Sequence, residues 1–166
     1  MSTATALATF PDPAGTRVDV SFGSGTALSF DTTEGEGRAG PSPTESLLGA
    51  LAACTALDVA AILRKKRQEV RTYHIAVEGT KSREHPKVYT HIVVEHRVAG
   101  RVDPEALRRS IELSATSYCP VSAMLSAGVR IEHRYRLWPD RPDGTPADVS
   151  GEGLAALVVA AGPDRG

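Results

Sequence analysis

Two cysteines, Cys54 and Cys119, pose the first chemical question in this 166-residue chain, which contains no others. Cys54 sits in LAACTALDV, a stretch built almost wholly of Ala and Leu, and Cys119 sits in SATSYCPVSAML. A thiol reacts as its thiolate, so the surroundings of each sulfur decide its use. Pro120 marks the first position of a helix and makes Cys119 its cap, where free N–H groups and the positive dipole end favour an anion. Around Cys54 an apolar helix interior disfavours the charged form, and Asp58, one turn on, adds a like charge. Local physics therefore names Cys119 the better nucleophile. Reactivity at Cys54 needs an imported cation, from Arg17, Arg38 or the basic residues of a second helix. The competing reading of either cysteine is a small, inert core residue. Two cysteines alone do not make a zinc site, and no histidine pair stands at ligand spacing beside them, so no metal is expected.

The rest of the composition sets bounds. One domain is expected from this length, large enough to bury a core without staples. A net charge of −1, from 19 basic and 20 acidic residues, gives no electrostatic case for nucleic acid or an anionic membrane. The N-terminal MSTATALATFPDPAG has no basic region ahead of an apolar one and does not read as a signal peptide. The longest apolar stretch, Leu47 to Leu63, is shorter than a usual membrane span and carries Asp58. A cytoplasmic protein is expected, and in that reducing compartment a static disulfide is not.

The elements that must position the thiols follow from patterning. Residues 17–31 alternate around Gly23 and Gly25 as a hairpin, and 32–45 is a Gly- and Pro-rich loop. Ser42 or Thr44 caps a helix that begins near Pro43, has Glu45 in its first turn and runs to about Arg67. Its centre is apolar nearly all round, which predicts burial on several sides, between sheets or at a subunit interface. Strands are predicted at 73–82 and 87–100, and a second helix at Asp103–Pro104. A short helix restarts at Pro120 and stops at Gly128 in a left-handed cap, followed by a strand at 129–138 with Arg, His and Tyr outward. Residues 1–138 form the domain. The tail 139–166 is expected to be largely irregular, though LAALVVAA (154–161) is able to dock as a short helix or strand. His74, His91 and His96 lie on alternating strands and read as solvent-facing, with a histidine cluster as the alternative; His133 reads as surface and Met124 as core, and Tyr118 packs or hydrogen-bonds beside Cys119.

GPSPTESLLGALAACTALDVAAILRKKRQ, followed by SATSYCPVSAML, resembles the OsmC/Ohr family of thiol-dependent hydroperoxide reductases, over roughly residues 16–138. TALDVAAILRKKRQ is more similar to its less characterised OsmC-like branch. The resemblance implies an α+β fold, with antiparallel sheets packed around two central helices in an intertwined homodimer. It implies that Cys54 attacks the peroxide, that Cys119 resolves the sulfenic acid as a disulfide, and that an external dithiol, in some members a lipoyl group, reduces it. No bound cofactor is implied. This reverses the local ranking of the two thiols.

In the organic hydroperoxide resistance branch an Arg and a Glu activate the first cysteine, the Glu ten residues before it. Here position 44 is Thr and the acid is Glu45, nine before Cys54. Arg17 is the first candidate for the arginine, Arg38 the second. The alternative to a peroxidase is a non-catalytic dimer that binds a small apolar or thiol-reactive ligand.

Overall fold

The computed structural model describes residues 3–32 and 37–163. The chain divides into two compact units, Met1–Leu47 and Leu48–Gly166.

The N-terminal unit contains a three-stranded antiparallel meander: β1 (Ala6–Thr9), β2 (Arg17–Phe22) and β3 (Ala27–Asp31). The β2–β3 hairpin is the predicted one, pairing Arg17 with Asp31 through Ser21 with Ala27. β1 was not anticipated, because four residues of small and apolar type carry too little pattern. Asp31, at the end of β3, accepts from Thr16 Oγ1 at 2.8 Å and from the Ala39 N–H at 3.1 Å. That carboxylate ties the later part of the predicted loop back to the meander; another part of the loop, 33–36, lies outside the described residues. The unit ends with the first turn of α1 (Pro43–Lys65).

The start of α1 is a capping box written in the sequence as Ser-Pro-Thr-Glu. The Glu45 N–H donates to Ser42 Oγ at 3.3 Å, and Glu45 Oε2 accepts the Ser42 N–H at 2.8 Å. Its other end needs no glycine. Arg67 adopts φ 56°, the Arg67 N–H bonds the Arg64 carbonyl and the Gln68 N–H that of Leu63, which is a Schellman closure.

The C-terminal unit is a four-stranded sheet in the order β4 (Glu69–Lys81), β5 (Tyr89–Arg101), β6 (Arg130–Pro139), β7 (Leu154–Ala161). β4–β5 and β6–β7 are antiparallel, but β5 and β6 run parallel. This corrects the expectation of antiparallel sheets: the 28 residues between these strands hold α2 (Pro104–Leu113), a π-helical turn (Ser114–Tyr118) and α3 (Pro120–Ser126). A helical crossover of that length returns the chain to the end of the sheet from which β5 started. The tail, expected to be largely irregular, contributes β7 as the fourth strand. Asp103 caps α2 as predicted, accepting the Ala106 N–H at 2.7 Å, while its own N–H donates to Gln68 Oε1 at 2.7 Å. The end of α1 is thereby tied to the start of α2.

One face of the sheet is covered by helices. Leu51, Thr55, Val59 and Leu63, spaced by four, are the buried stripe of α1. Val59 and Leu63 join Val98, Leu107, Ile111, Tyr135 and Leu137 in one apolar cluster. Leu51 joins Tyr89, Ile92, Val94, Cys119 and Ile131 in another. Each fully buried Leu or Ile contributes about 1.5–3 kcal/mol. By length and composition α1 is also apolar enough to cross a membrane; its buried stripe on the sheet is that of a core helix. Its far side stays open, with Leu57 73% exposed, so the helix is not surrounded within this unit. Gly128 is not in the left-handed region; α3 ends at Ala127 in helical conformation.

Period-two alternation assigns the sheet faces and corrects the expectations for His96, His133 and Tyr135. In β6 the arginines stand at 130, 134 and 136, which commits the even positions to solvent and turns His133 and Tyr135 inward. His133 is 1% and His96 0% exposed, against the expectation that both face water. Met124, read as core, is 70% exposed. Outside, Glu95 takes Arg97 at 2.6 Å, Arg134 at 3.4 Å and Arg136 at 3.8 Å.

Candidate active site

The two cysteines meet although 64 residues separate Cys119 from its hydroxyl neighbour Thr55. Cys54 Sγ, an Asp58 carboxylate oxygen and Cys119 Sγ all lie within 4.8 Å of one another. Two local devices produce this. Cys54 and Asp58 are four apart on α1 and share a face. The π-helical turn before Cys119, closed by the Cys119 N–H on the Ser114 carbonyl at 2.9 Å, inserts one residue and rotates the start of α3 onto that face.

Both sulfurs receive N–H donors from the first turn of α3. The Ser122 N–H donates to Cys119 Sγ at 3.3 Å, and the Val121 N–H donates to Cys54. Thr55 Oγ1 donates to Cys119 Sγ at 3.8 Å, and Ser114 Oγ donates to Asp58 Oδ2 at 3.1 Å. Cys119 is buried; Cys54 and Asp58 are partly exposed, so the cluster opens to the surface on their side. Electrostatically it is a crowd of acids. Burial, the hydrogen bond to Cys119 and the nearby Cys119 and Asp58 charges push the Cys54 thiol up to about 11, against the opposing Val121 N–H.

A polar row lies beside it, between the two apolar clusters. Tyr73 Oη lies 2.8 Å from His96 Nδ1, and His96 Nε2 lies 3.4 Å from His133 Nδ1. Burial, helped by the Asp58 charge, holds the proton on the Tyr73 phenol. The His96 tautomer sets which atom donates in each of these two contacts, since a neutral imidazole carries one donor and one acceptor nitrogen and a phenol serves as either. Burial keeps both imidazoles neutral, His96 down at about 3 and His133 at about 4. His133 Nε2 ends the row, buried and without a hydrogen-bond partner among the described residues.

Of the other predicted site residues, Arg17 pairs with Asp19 on its own strand at 2.9 Å. Arg38 pairs with Glu45, so the second-choice arginine is the one that meets the predicted acid. Arg108 and Arg109 pair with Glu105 and Glu112 along the surface of α2. The sequence reading counted Asp58 only as a hindrance and missed Thr55, Ser114, Tyr73, His96 and His133. The alternation in β5 and β6 was the signal for the histidines.

The family model for the OsmC-like protein matches residues 34–134. This chain belongs to that family. It is 38% identical over 102 residues to protein YhfA of Escherichia coli K12, covering 61% of this chain and 76% of that one. A hypothetical protein from Aquifex aeolicus VF5 superposes with TM-score 0.73 at 26% identity, over 85% of this chain and all of that one (100%). The organic hydroperoxide resistance protein OhrB of Bacillus subtilis superposes with TM-score 0.60 at 16% identity, over 81% of this chain and 98% of that one, a likeness of fold. The resemblance drawn from the Cys54 and Cys119 segments is thus borne out, as is the α+β, OsmC-like fold.

Proposed function

We propose that this OsmC-like protein is a thiol peroxidase that reduces organic hydroperoxides. The observation that carries the reading is the approach of the two sulfurs to within 4.8 Å, with Val121 and Ser122 N–H groups on them. The Cys54 thiolate attacks the distal peroxide oxygen and the O–O bond breaks; the alkoxide leaves and takes a proton as the alcohol. Cys54 is now a sulfenic acid. The Cys119 thiolate attacks that sulfur, expelling hydroxide that leaves as water, and the pair becomes a disulfide. A disulfide needs its sulfurs at about 2.05 Å, so the side chains close further before the bond forms. An external dithiol then restores both thiols by exchange. Such a protein works in a reducing compartment, the cytoplasm.

A second copy of the chain is the expected partner. Leu57, Tyr118 and Met124 project at 73%, 60% and 70% exposure, a cost that a homodimer interface removes. The family resemblance gives activation of Cys54 to an arginine and a glutamate, and Arg38 with Glu45 is the pair this chain assembles.

The test is cumene hydroperoxide consumption by the reduced, metal-free protein with dihydrolipoamide as reductant. Cys54→Ser should drop turnover to the uncatalysed background. Cys119→Ser should leave one equivalent of peroxide reduced and a sulfenic acid that dimedone traps. Turnover that survives Cys54→Ser refutes the peroxidase. The reading as a non-catalytic ligand binder draws on Asp58, which opposes thiolate formation at Cys54; it predicts slow overoxidation without turnover.

A further inference from the structure

Asp58 has no task in the peroxidase reading. A peroxidatic thiol gains from a neighbouring cation, and here a carboxylate stands one helical turn away, oriented by Ser114 Oγ at 3.1 Å. Two thiols and a carboxylate converge without a basic side chain among the groups that act on Cys54. Each residue offers one ligand atom, and the three atoms lie within 4.8 Å of one another. Such a crowd of would-be anions is stabilised by a proton or by a multivalent cation held among them.

We propose that Cys54, Asp58 and Cys119 form a binding site for a divalent transition-metal ion, with zinc as its natural fit. The donor set decides the class. Two sulfurs select a borderline or soft metal and exclude magnesium and calcium, which take oxygen ligands. Tetrahedral zinc has Zn–S bonds of about 2.3 Å and Zn–O bonds of about 2.0–2.2 Å, which place its ligands roughly 3.5–3.8 Å apart. From their present spacing the three atoms contract by at most about 1 Å to meet that geometry. Three protein ligands leave a fourth position open, on the side where Cys54 and Asp58 reach the surface. Other features of a ligating shell are in place. Ser114 fixes the carboxylate, and the Val121 and Ser122 N–H groups donate to the two sulfurs, as they would to thiolates.

Binding is an exchange of charge: Zn²⁺ enters, and the two thiols lose their protons to solvent. No electrons move. The site itself rests on geometry alone. Its consequence, that the metal blocks peroxide attack at Cys54 until it is removed, rests on the peroxidase reading.

The experiment uses anaerobically reduced full-length protein, with no peroxide present. Titration with Zn²⁺ against a chromophoric chelator should give one ion per chain and release up to two protons per ion. Co²⁺ should give the same stoichiometry with a thiolate-to-cobalt charge-transfer band. Zn²⁺ should protect both cysteines from iodoacetamide by mass spectrometry, a readout that needs no variant. Asp58→Asn, its fold checked by circular dichroism, should weaken binding tenfold or more, and Asp58→Glu should recover part of it. Absence of the charge-transfer band, alkylation unaffected by Zn²⁺, or wild-type affinity in folded Asp58→Asn each overturns the site. None of these results touches peroxide turnover by the metal-free protein.

Discussion

Two clusters of ionisable groups in this chain solve opposite electrostatic problems. In the N-terminal unit, Glu45 is surrounded by donors: the Ser42 N–H and hydroxyl and the Arg38 guanidinium hold its carboxyl down at about 2. In the C-terminal unit, Cys54 is surrounded by acids and apolar surface, and its thiol is held up at about 11. One cluster stabilises an anion in the open; the other keeps a proton on a group whose chemistry needs the anion. The difference teaches that proximity and activation are separable. The fold brings the sulfurs together, and whatever makes Cys54 a thiolate has to be added to that geometry.

The largest expected effect measures that addition. With a thiol at about 11 in place of an ordinary 9.0, Cys54 should react with iodoacetamide about 100-fold more slowly than a free cysteine at pH 7. Its rate should climb with pH until about 11. A profile that levels off near neutral pH would break the comparison and reveal a cation beside the sulfur; its loss in Arg38→Met but not in Arg17→Met would identify the donor.

Truncation of the core that positions Cys54 comes next. Leu63→Ala, in the fully buried stripe of α1, should cost about 2–5 kcal/mol in urea unfolding. Loss of the capping box should be smaller: Ser42→Ala should cost about 0.5–2 kcal/mol, read in the same assay.

The pH dependence of stability sharpens the contrast, because the signs differ. Glu45 is depressed in the folded state, so its contribution is present above its ordinary 4.5 and is lost as pH falls towards about 2. Cys54 is raised, so its contribution is present below 9.0 and is lost as pH rises through about 11. His96 and His133 add a third window. Being held neutral, they contribute above 6.5, and that contribution is lost as pH falls towards about 4 and 3. Thermal melts from pH 7 to 4 should show a falling Tm, and His133→Phe should flatten that slope. The smallest effect expected is at Asp58: Asp58→Asn should speed Cys54 alkylation only slightly, since its charge is the last of the causes that raise the thiol, well behind burial.

Much of this was legible in the sequence, where the signal is local. Ser42 with Glu45, Asp103 with Pro104, and Pro120 after Cys119 mark three helix starts that the structure has. The hairpin at 17–31 follows from alternation and its glycines. The histidines were legible too, had the alternation in β6 been applied strictly, since Arg130, Arg134 and Arg136 already claim one face. What could not be read is what tertiary packing decides. The π-helical turn at 114–118 has no distinctive residue pattern, yet it sets where Cys119 points. The Ser114–Asp58 bond joins residues 56 apart. Met124 and Leu57 are apolar and exposed, and composition assigns such residues to the interior without saying whose interior.

One property of α1 bears on how the chain is made. The helix ends at Lys65, while β6, which supplies Tyr135 and Leu137 to its covering, ends at Pro139. At ~5–20 residues per second, translation of those roughly 75 residues takes about 4–15 s. During that interval the emerging chain presents an apolar helix whose covering is still incomplete. A carboxylate within a would-be span adds roughly 2.5–3.5 kcal/mol against insertion. A carboxylate such as that of Asp58 therefore weighs against bilayer insertion of α1 while its sheet is still being made.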